Sequence, residues 1–338
     1  AAAPDILHLQ DPYLLDFEAR VVARREHESR PAVLLDRTAF YAESGGQPWD
    51  TGTFGEARVV AVVEHGGEVL HVLDRALTEG PAHGRVDADR RRDHRQQHHG
   101  QHLLSRAFVE VAEARTIGFH LGADVTTIDL DRAVSDAQLQ AAATRANEVV
   151  WQARPVTASV VSAAEARALG VTPPEGVEDA VRLVAVEGFD RQPCGGTHPR
   201  TTAEVGVVVA TVSERYKGGT RVSFVCGHRA LAAMALRRRV LDRLVAVFSA
   251  PVEQLPEVVE KTRDALADGE RRQRDLLERA LDGEARRLLD EARGTPPPAG
   301  PAVIVAAYEG WSPDDLRILA QRLVALAPTV APVSYTHL

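Results

Sequence analysis

The sequence predicts an α+β protein whose N-terminal part is rich in β-strands and whose C-terminal part is a long helical segment. Short β-type runs separated by turn signals fill residues 14–90. Strand and helix patterns alternate from about 91 to 226, and residues 228–293 are rich in Ala, Leu, Glu and Arg. With 338 residues, the chain is long enough for two or three domains with separate cores.

The first predicted domain, residues 1–90, contains four strand-like segments. These segments are FEARVVA, PAVLLD, EARVVAVVE and EVLHVLD. Turn signals interrupt them, such as HGG at 65–67 and GPAHG at 80–84. Short strands separated in this way predict a small antiparallel sheet or barrel.

The second predicted domain, residues 91–226, mixes helices with strands. Its first helix is expected to run from the N-cap Asp93 to about Ala114, and its second opens with the capping box Ser135–Gln138. Strand candidates follow both helices: RTIGFHL, VTTIDLD, PVTASVV, AVRLVAV and VGVVVATV. The last three surround the loop GFDRQPCGGTHPRTT, which predicts an α+β domain.

The C-terminal third begins with a predicted helical spacer at 227–293, which is expected to pair with a partner helix and to allow a homodimer. Residues 294–338 then predict a partial α/β domain: the linker GTPPPAGP at 294–301, one strand in PAVIVAAYEG and one helix in SPDDLRILAQRLVAL. The final SYTHL fits no such domain, and we interpret it as a foreign tail.

Composition restricts the classes of partner. The net charge of −8 argues against a protein that coats DNA or RNA through a general positive field, although local clusters of arginine allow one polyanion to dock. No apolar run approaches the roughly 20 residues of a membrane span, so no membrane contact is predicted. Two cysteines are too few for a disulfide framework, and the N-terminus shows no secretory signal, so we expect a cytoplasmic protein.

Three histidines fall within five residues, and two of them can bind one ion. His98 and His102 are four residues apart, which places them roughly 40° apart around a helix, whereas His99 points elsewhere. Leu104 and Val111 lie about 160–180° from His102 on the same helical wheel. The histidine pair is therefore predicted to face away from the apolar core.

A second pair of candidate ligands occurs in the loop sequence CGGTH. Cys194 and His198 are again four residues apart, and the intervening glycines let the backbone fold tightly. Three imidazoles and one thiolate form a tetrahedral donor set that suits Zn²⁺. Spacing alone leaves the alternative open that a buried free cysteine lies in a glycine turn near an unrelated histidine.

HHGQHLL, CGGTH and FYAESGGQ at 40–47 together resemble the editing domain of alanyl-tRNA synthetases and the free-standing editing proteins of the AlaX type. The resemblance extends from about Asp11 to Leu231 and includes DPYLLDFEARVV, TIGFHLGADVTTIDL and RVSFVCGHRAL. It implies a small N-terminal β-barrel, an α+β zinc-binding domain and a site in the cleft between them. The implied reaction is hydrolysis of the ester in mischarged Ser-tRNA(Ala) or Gly-tRNA(Ala).

The resemblance also assigns roles to individual residues. It implies that zinc is held by His98, His102, Cys194 and His198. It implies catalytic roles for Gln47 and Cys194, and contacts between the substrate and Gly45, Gly46, Gln47 and Thr116. Thr116 could hydrogen bond the seryl hydroxyl or be an ordinary strand threonine. Four protein ligands close a zinc site, so we expect zinc to orient the aminoacyl-adenosine while polar groups hold the attacking water.

The sequence is also compatible with two other functions. The chain could be an excised editing fragment of an alanyl-tRNA synthetase, but no ATP-binding or alanine-activating domain precedes the first strand, which favours a self-contained protein. It could also be a non-catalytic, zinc-stabilised tRNA-binding module. The sequence departs from the family at His99, where threonine is common, and at Pro199, where an aliphatic residue is usual; His99 has no assigned role.

Overall fold

The computed structural model describes most of the chain, namely residues 4–174, 176–177, 179–294 and 303–333. It divides into two units, Ala1–Arg237 and Arg238–Leu338. The first unit contains both sheets and helices, which confirms the predicted α+β class. No helix in the described ranges combines the length and the apolar character that crossing a membrane requires.

The N-terminal part of the first unit is built from eight strands and one short helix. In chain order they are β1 (Asp5–Ile6), α1 (Leu7–Gln10), β2 (Asp16–His27), β3 (Arg30–Leu35), β4 (Arg37–Thr38), β5 (Gly52–Phe54), β6 (Ala57–His65), β7 (Glu68–Leu73) and β8 (Gly80–Val86). Six of them form a closed antiparallel barrel in the order β2-β3-β7-β6-β5-β8. Buried and exposed residues alternate along the start of β2, so Phe17, Ala19 and Val21 enter the barrel core.

The predicted turn at 80–84 is wrong, because these residues form most of strand β8. The strand pairs with β2 on one side and with β5 on the other, and these two ladders satisfy its backbone groups. Gly84 lies directly under the ring of Phe17, where an added Cβ would come within 2.5 Å of the ring atom Cζ. The glycine therefore permits close packing in the barrel core and does not mark a turn.

The rest of the first unit is an α+β arrangement with two further sheets. Its elements are α2 (Ala88–Ala112), β9 (Thr116–Leu121), β10 (Thr126–Leu130), α3 (Asp136–Trp151), β11 (Val156–Val161), α4 (Ala163–Ala168), β12 (Val181–Val186), β13 (Asp190–Pro193), a 3₁₀ turn (Thr202–Val205), β14 (Val208–Tyr216) and β15 (Gly219–Cys226). The strand orders are β14-β15-β10-β9 and β11-β12-β13. Leu104 and Phe108 of α2, Val149 of α3 and Phe224 of β15 share one core.

Helix α2 begins six residues earlier than predicted, because Asp87 and not Asp93 is its N-cap. The Asp87 carboxylate accepts hydrogen bonds from the backbone nitrogens of Asp89 and Arg90, each at 3.1 Å. Asp93 is inside the helix, where its carboxylate binds the guanidinium of Arg229 at 2.6 and 2.8 Å. A contact with a residue distant in sequence therefore occupies the side chain that the local pattern assigned to capping.

Arg91 connects α2 to the barrel through a fully buried ion pair. Its Nε donates to the carboxylate of Asp50 at 3.0 Å, and both side chains have no exposed surface. The same guanidinium donates to the carbonyl oxygens of Pro12 and Ala39 at 2.9 and 2.6 Å. Asp50 also accepts from the backbone nitrogen of Tyr41 at 2.8 Å. The pair therefore holds the loop between β4 and the barrel strand β5 against the helix.

The second unit is helical in its described part. Helix α5 (Gly227–Phe248) enters it, followed by a 3₁₀ turn (Val252–Gln254), α6 (Leu255–Gly294) and α7 (Pro313–Leu326). Leu281 and Leu288 of α6 pack with Leu319 and Leu323 of α7.

The predicted strand in PAVIVAAYEG is not formed. Residues 303–308 have no regular structure, since no strand in the described part of this unit offers the backbone groups that a ladder needs. The predicted linker at 294–301 lies almost entirely outside the described residues, and so does the SYTHL tail.

Candidate metal centre

Four side chains predicted as ligands converge on one point of the first unit. The nitrogen and sulfur donor atoms of His98, His102, Cys194 and His198 all lie within 4.8 Å of one another. The sulfur of Cys194 is 3.4 Å from Nε2 of His98 and 3.2 Å from Nε2 of His198. Both imidazoles therefore direct Nε2 toward the thiol, as ligands of a shared ion would.

The histidine pair on α2 is buried, although the helical wheel predicted that it faces away from the core. His98 and His102 are only 4% and 3% exposed. The ring of Phe119 in β9 stacks on His98 with the centroids 5.3 Å apart, and the ring of His198 lies 4.5 Å from that of His102. The face opposite the apolar stripe is therefore covered as well, by a strand and by the CGGTH loop.

The CGGTH loop reaches the helix because Gly196 has no side chain. A Cβ at this position would lie 2.2 Å from Cε1 of His98 and 3.0 Å from Oε1 of Gln47. Arg182 of β12 holds the loop from the other side, since its Nη1 donates to the carbonyl oxygens of Cys194 and Gly196 at 2.7 and 3.1 Å. Close approach and these two hydrogen bonds together place Cys194 against the histidines.

Gln47 is completely buried, and its amide contacts a ligand histidine. Its Oε1 accepts from Nδ1 of His98 at 2.7 Å and from the backbone nitrogen of Thr197 at 3.3 Å. Its Nε2 donates to the hydroxyl of Thr197 at 3.0 Å. The contact fixes Nδ1 of His98 as the protonated nitrogen and leaves Nε2 free for a metal, which is how outer partners orient a histidine ligand.

His99 lies at the cluster, so the helical-wheel prediction that it points elsewhere is wrong. Its Nδ1 is 3.0 Å from Nδ1 of His198, and its side chain has no exposed surface. Nδ1 of His198 can donate to His99, so that its Nε2 faces Cys194. The residue for which the sequence indicated no role is thus the outer partner of the fourth ligand.

The other residues predicted to contact the substrate, Gly45, Gly46 and Thr116, differ from one another in their surroundings. An added Cβ at Gly46 would lie 2.6 Å from Cδ1 of Phe119, while one at Gly45 would meet no atom within 4 Å. Both glycines have positive φ, at 55° and 84° for Gly45 and Gly46, so the GG turn needs residues without a side chain. The hydroxyl of Thr116 is 2.6 Å from that of Ser105, which in turn accepts from the side-chain amide of Gln101.

Electrostatics favour metal binding over protonation of the imidazoles. Burial is the main cause that lowers the pKa of His98 to about 4 and of His99 to about 3, and that holds the pKa of His102 and His198 well below 6.5. Neutral imidazole is the form that binds a metal. Burial raises the pKa of the Cys194 thiol, while the Gly196 N–H and the charge of Arg182 act in the opposite direction.

The donor chemistry fits Zn²⁺. Three neutral imidazoles and one thiol meet at one point, and the second nitrogen of two imidazoles has a hydrogen-bond partner. Sequence reasoning missed His99, Phe119, Arg182 and Thr197. Thr197 could have been found, because it lies between the two ligands of CGGTH, whereas Arg182 gave no local signal.

Replacing Gln47 with leucine is expected to weaken zinc binding about 10–100-fold, because His98 would lose the acceptor that orients it. Competition with a chromogenic chelator measures this change. The variant Gln47→Glu keeps an acceptor at the same reach and is expected to retain most of the affinity. Equal zinc affinity in Gln47→Leu and in the unsubstituted protein would contradict the orienting role.

Comparison with known families matches the segment that contains half of the cluster. Residues 181–223 match the threonyl and alanyl tRNA synthetase second additional domain. This segment runs from β12 into β15 and includes the CGGTH loop.

Longer similarities cover three quarters of the chain or more. The alanine–tRNA ligase of Pyrococcus furiosus is 31% identical over 94% of this chain and 36% of its own length. The alanyl-tRNA editing protein AlaX-L of Pyrococcus horikoshii is 28% identical over 93% of this chain and 80% of its own length. The alanyl-tRNA editing protein Aarsd1 of Danio rerio is 29% identical over 75% of this chain and 66% of its own length. The chain thus spans about a third of the ligases that it matches.

Proposed function

The chain is a relative of the AlaX-type alanyl-tRNA editing proteins and of alanine–tRNA ligases, and from that relationship we propose that it is a zinc-dependent hydrolase that removes the amino acid from mischarged alanine tRNA. The expected substrates are Ser-tRNA(Ala) and Gly-tRNA(Ala). As a protein separate from the ligase, it would hydrolyse these esters after the ligase has made them. The convergence of three imidazoles and one thiol on one point is the observation that carries this proposal.

A second site for hydrolysis has a clear physical purpose. A pocket that accepts alanine cannot exclude the smaller glycine by size, and an apolar pocket rejects an added hydroxyl only by about a hundredfold. Selection after the aminoacyl ester has formed can use different contacts. A polar site that hydrogen bonds the seryl hydroxyl would leave groups unpaired when alanine enters, and alanine would be spared.

The proposed mechanism assigns one task to each group of residues. His98, His102, Cys194 and His198 would hold zinc, which when bound supplies positive charge near the ester of the terminal adenosine. Gln47 and His99 orient two of these ligands from outside.

Arg182 keeps the CGGTH loop in place through two backbone carbonyls and adds a fixed positive charge. The open space beside Gly45 and the backbone of the GG turn offer room for the substrate. The hydroxyl of Thr116 is hydrogen bonded to that of Ser105, and its remaining hydrogen-bonding capacity would allow it to contact a seryl hydroxyl as well.

The deciding assay follows deacylation of Ser-tRNA(Ala), Gly-tRNA(Ala) and Ala-tRNA(Ala) by the zinc-loaded full chain. We expect serine or glycine to be released on the order of a hundredfold faster than alanine. Equal release of all three esters would contradict selective editing. Tight binding of the tRNAs without any turnover would instead support a zinc-stabilised binding module.

A further inference from the structure

A second polar cavity lies in the first unit, one helical turn before the metal ligands. It has a volume of about 570 Å³, within the size range of small-molecule sites. Its walls come from the start of α2, the residues that follow Gln47, the turn after β9 and the start of α5. The first three walls continue the same segments that hold the metal cluster, so the cavity adjoins the candidate centre.

His94 lines this cavity and has an unused polar atom. It is four residues before His98, about 6 Å along the helix axis, and points to the same side of α2. The side chain is only 2% exposed, and its Nδ1 has no hydrogen-bond partner among the described residues. A buried polar atom without a partner is costly, and a ligand in the cavity would satisfy it.

Arg90 provides the free cationic group of the cavity. Three arginines and two aspartates line it, but two of the arginines are engaged: Arg92 pairs with Asp89 at 2.9 Å, and Arg229 pairs with Asp93 at 2.6 Å.

The guanidinium of Arg90 is held by a single hydrogen bond from its Nε to the carbonyl oxygen of Trp49, at 2.9 Å. Both of its terminal nitrogens are without a partner in the part of the chain that the structure describes. They are a preorganised fork for the oxygens of a phosphate.

We propose that this cavity binds a phosphodiester-linked nucleotide of a single-stranded RNA 3′ end, with Arg90 on the phosphate and His94 on the sugar or base. The inference rests on the proposed function, because the ester of a terminal adenosine at the metal cluster requires the preceding nucleotides to lie nearby. Trp49 also lines the cavity, where its carbonyl oxygen accepts from Nε of Arg90 and so holds that guanidinium at the wall. The cavity would thus select an RNA end as substrate, independently of the attached amino acid.

Free phosphate shares the chemistry of this ligand, so the experiment must separate the two. The probes are an RNA hairpin with a single-stranded 3′ CCA end, the same hairpin with a blunt end, and inorganic phosphate. Binding to the zinc-loaded full chain is measured by fluorescence anisotropy at several salt concentrations. The variants are Arg90→Ala, His94→Leu and the control Arg132→Ala, which removes an exposed arginine remote from the cavity.

The expected result is specific to the overhang. Arg90→Ala should weaken binding of the CCA-ended hairpin about tenfold and reduce the slope of log affinity against log salt by about 0.7, the value for one phosphate contact on a single strand. His94→Leu should weaken the same binding without changing the slope. Arg132→Ala should change neither quantity, and the blunt hairpin should show no dependence on Arg90. Unchanged zinc content in each variant verifies that the cluster is intact.

Three outcomes would overturn the inference. One is equal affinity and equal salt slope in Arg90→Ala and in the unsubstituted protein. Another is equal dependence on Arg90 for the blunt hairpin. The third is displacement of the hairpin by inorganic phosphate at the same concentration as by free hairpin, which would show a site for a simple anion. Absence of deacylation would contradict the proposed function but leave this binding result unaffected, so the two failures can be distinguished.

Discussion

Replacing Cys194 with alanine is expected to remove bound zinc and to abolish deacylation of mischarged tRNA. The thiol is the only sulfur donor of the cluster, and its loss would leave three imidazoles around the ion. Loss of an outer partner alone typically weakens a metal site about 10–100-fold, so loss of a direct ligand should weaken it by more than about a hundredfold. Metal analysis of the purified protein and single-turnover deacylation measure the two effects.

Cys226 offers a matched control for this experiment. It is the other free cysteine, and it packs under Gly100, where an added Cβ would meet its sulfur at 2.2 Å. Cys226→Ala should therefore keep both zinc and activity while removing a thiol that lies outside the cluster. If Cys194→Ala lost zinc yet deacylated at the full rate, the metal would not be essential to the reaction.

Replacing Arg91 with leucine is expected to lower the free energy of unfolding of the first unit by about 3–5 kcal/mol. The change leaves the carboxylate of Asp50 buried without its cationic partner, and such an uncompensated charge is strongly destabilising. The carbonyl oxygens of Pro12 and Ala39 would lose their donor at the same time. Denaturant unfolding of the zinc-loaded protein, followed by tryptophan fluorescence in a Trp311→Phe background that leaves only Trp49 and Trp151 of the first unit, measures this loss.

A double variant and a control ion pair test whether the unpaired buried charge causes the loss of stability. The double variant Arg91→Leu with Asp50→Leu removes both charges and should be more stable than Arg91→Leu alone. The exposed pair of Arg85 and Asp16 serves as control, because breaking a solvated ion pair changes stability little. A single variant as stable as the unsubstituted protein would show that the buried pair does not hold α2 to the barrel.

Local sequence signals predicted a structural feature correctly where its hydrogen-bonding groups are close together in the sequence. The capping box of α3 is an example: the Ser135 hydroxyl accepts from the backbone nitrogen of Gln138, and the Gln138 side chain accepts from the backbone nitrogen of Ser135. The predicted N-cap of α2 was wrong for the same reason. The carboxylate of Asp93 pairs with Arg229, which is 136 residues away in the sequence. The predicted C-terminal strand failed because a strand needs a neighbour, and periodicity does not show whether one is present.

The sequence by itself determined the types of donor and their pairwise spacing. An i, i+4 pair on a helix and a C-x-x-x-H loop follow from residue identity, and the choice of zinc follows from imidazole and thiolate chemistry. Only the tertiary structure decided that the two pairs meet, that the imidazoles are buried, and that Gln47 and His99 contact His98 and His198. These contacts join residues about 50 and 100 positions apart, and side-chain packing, which no local repeat encodes, brings them together.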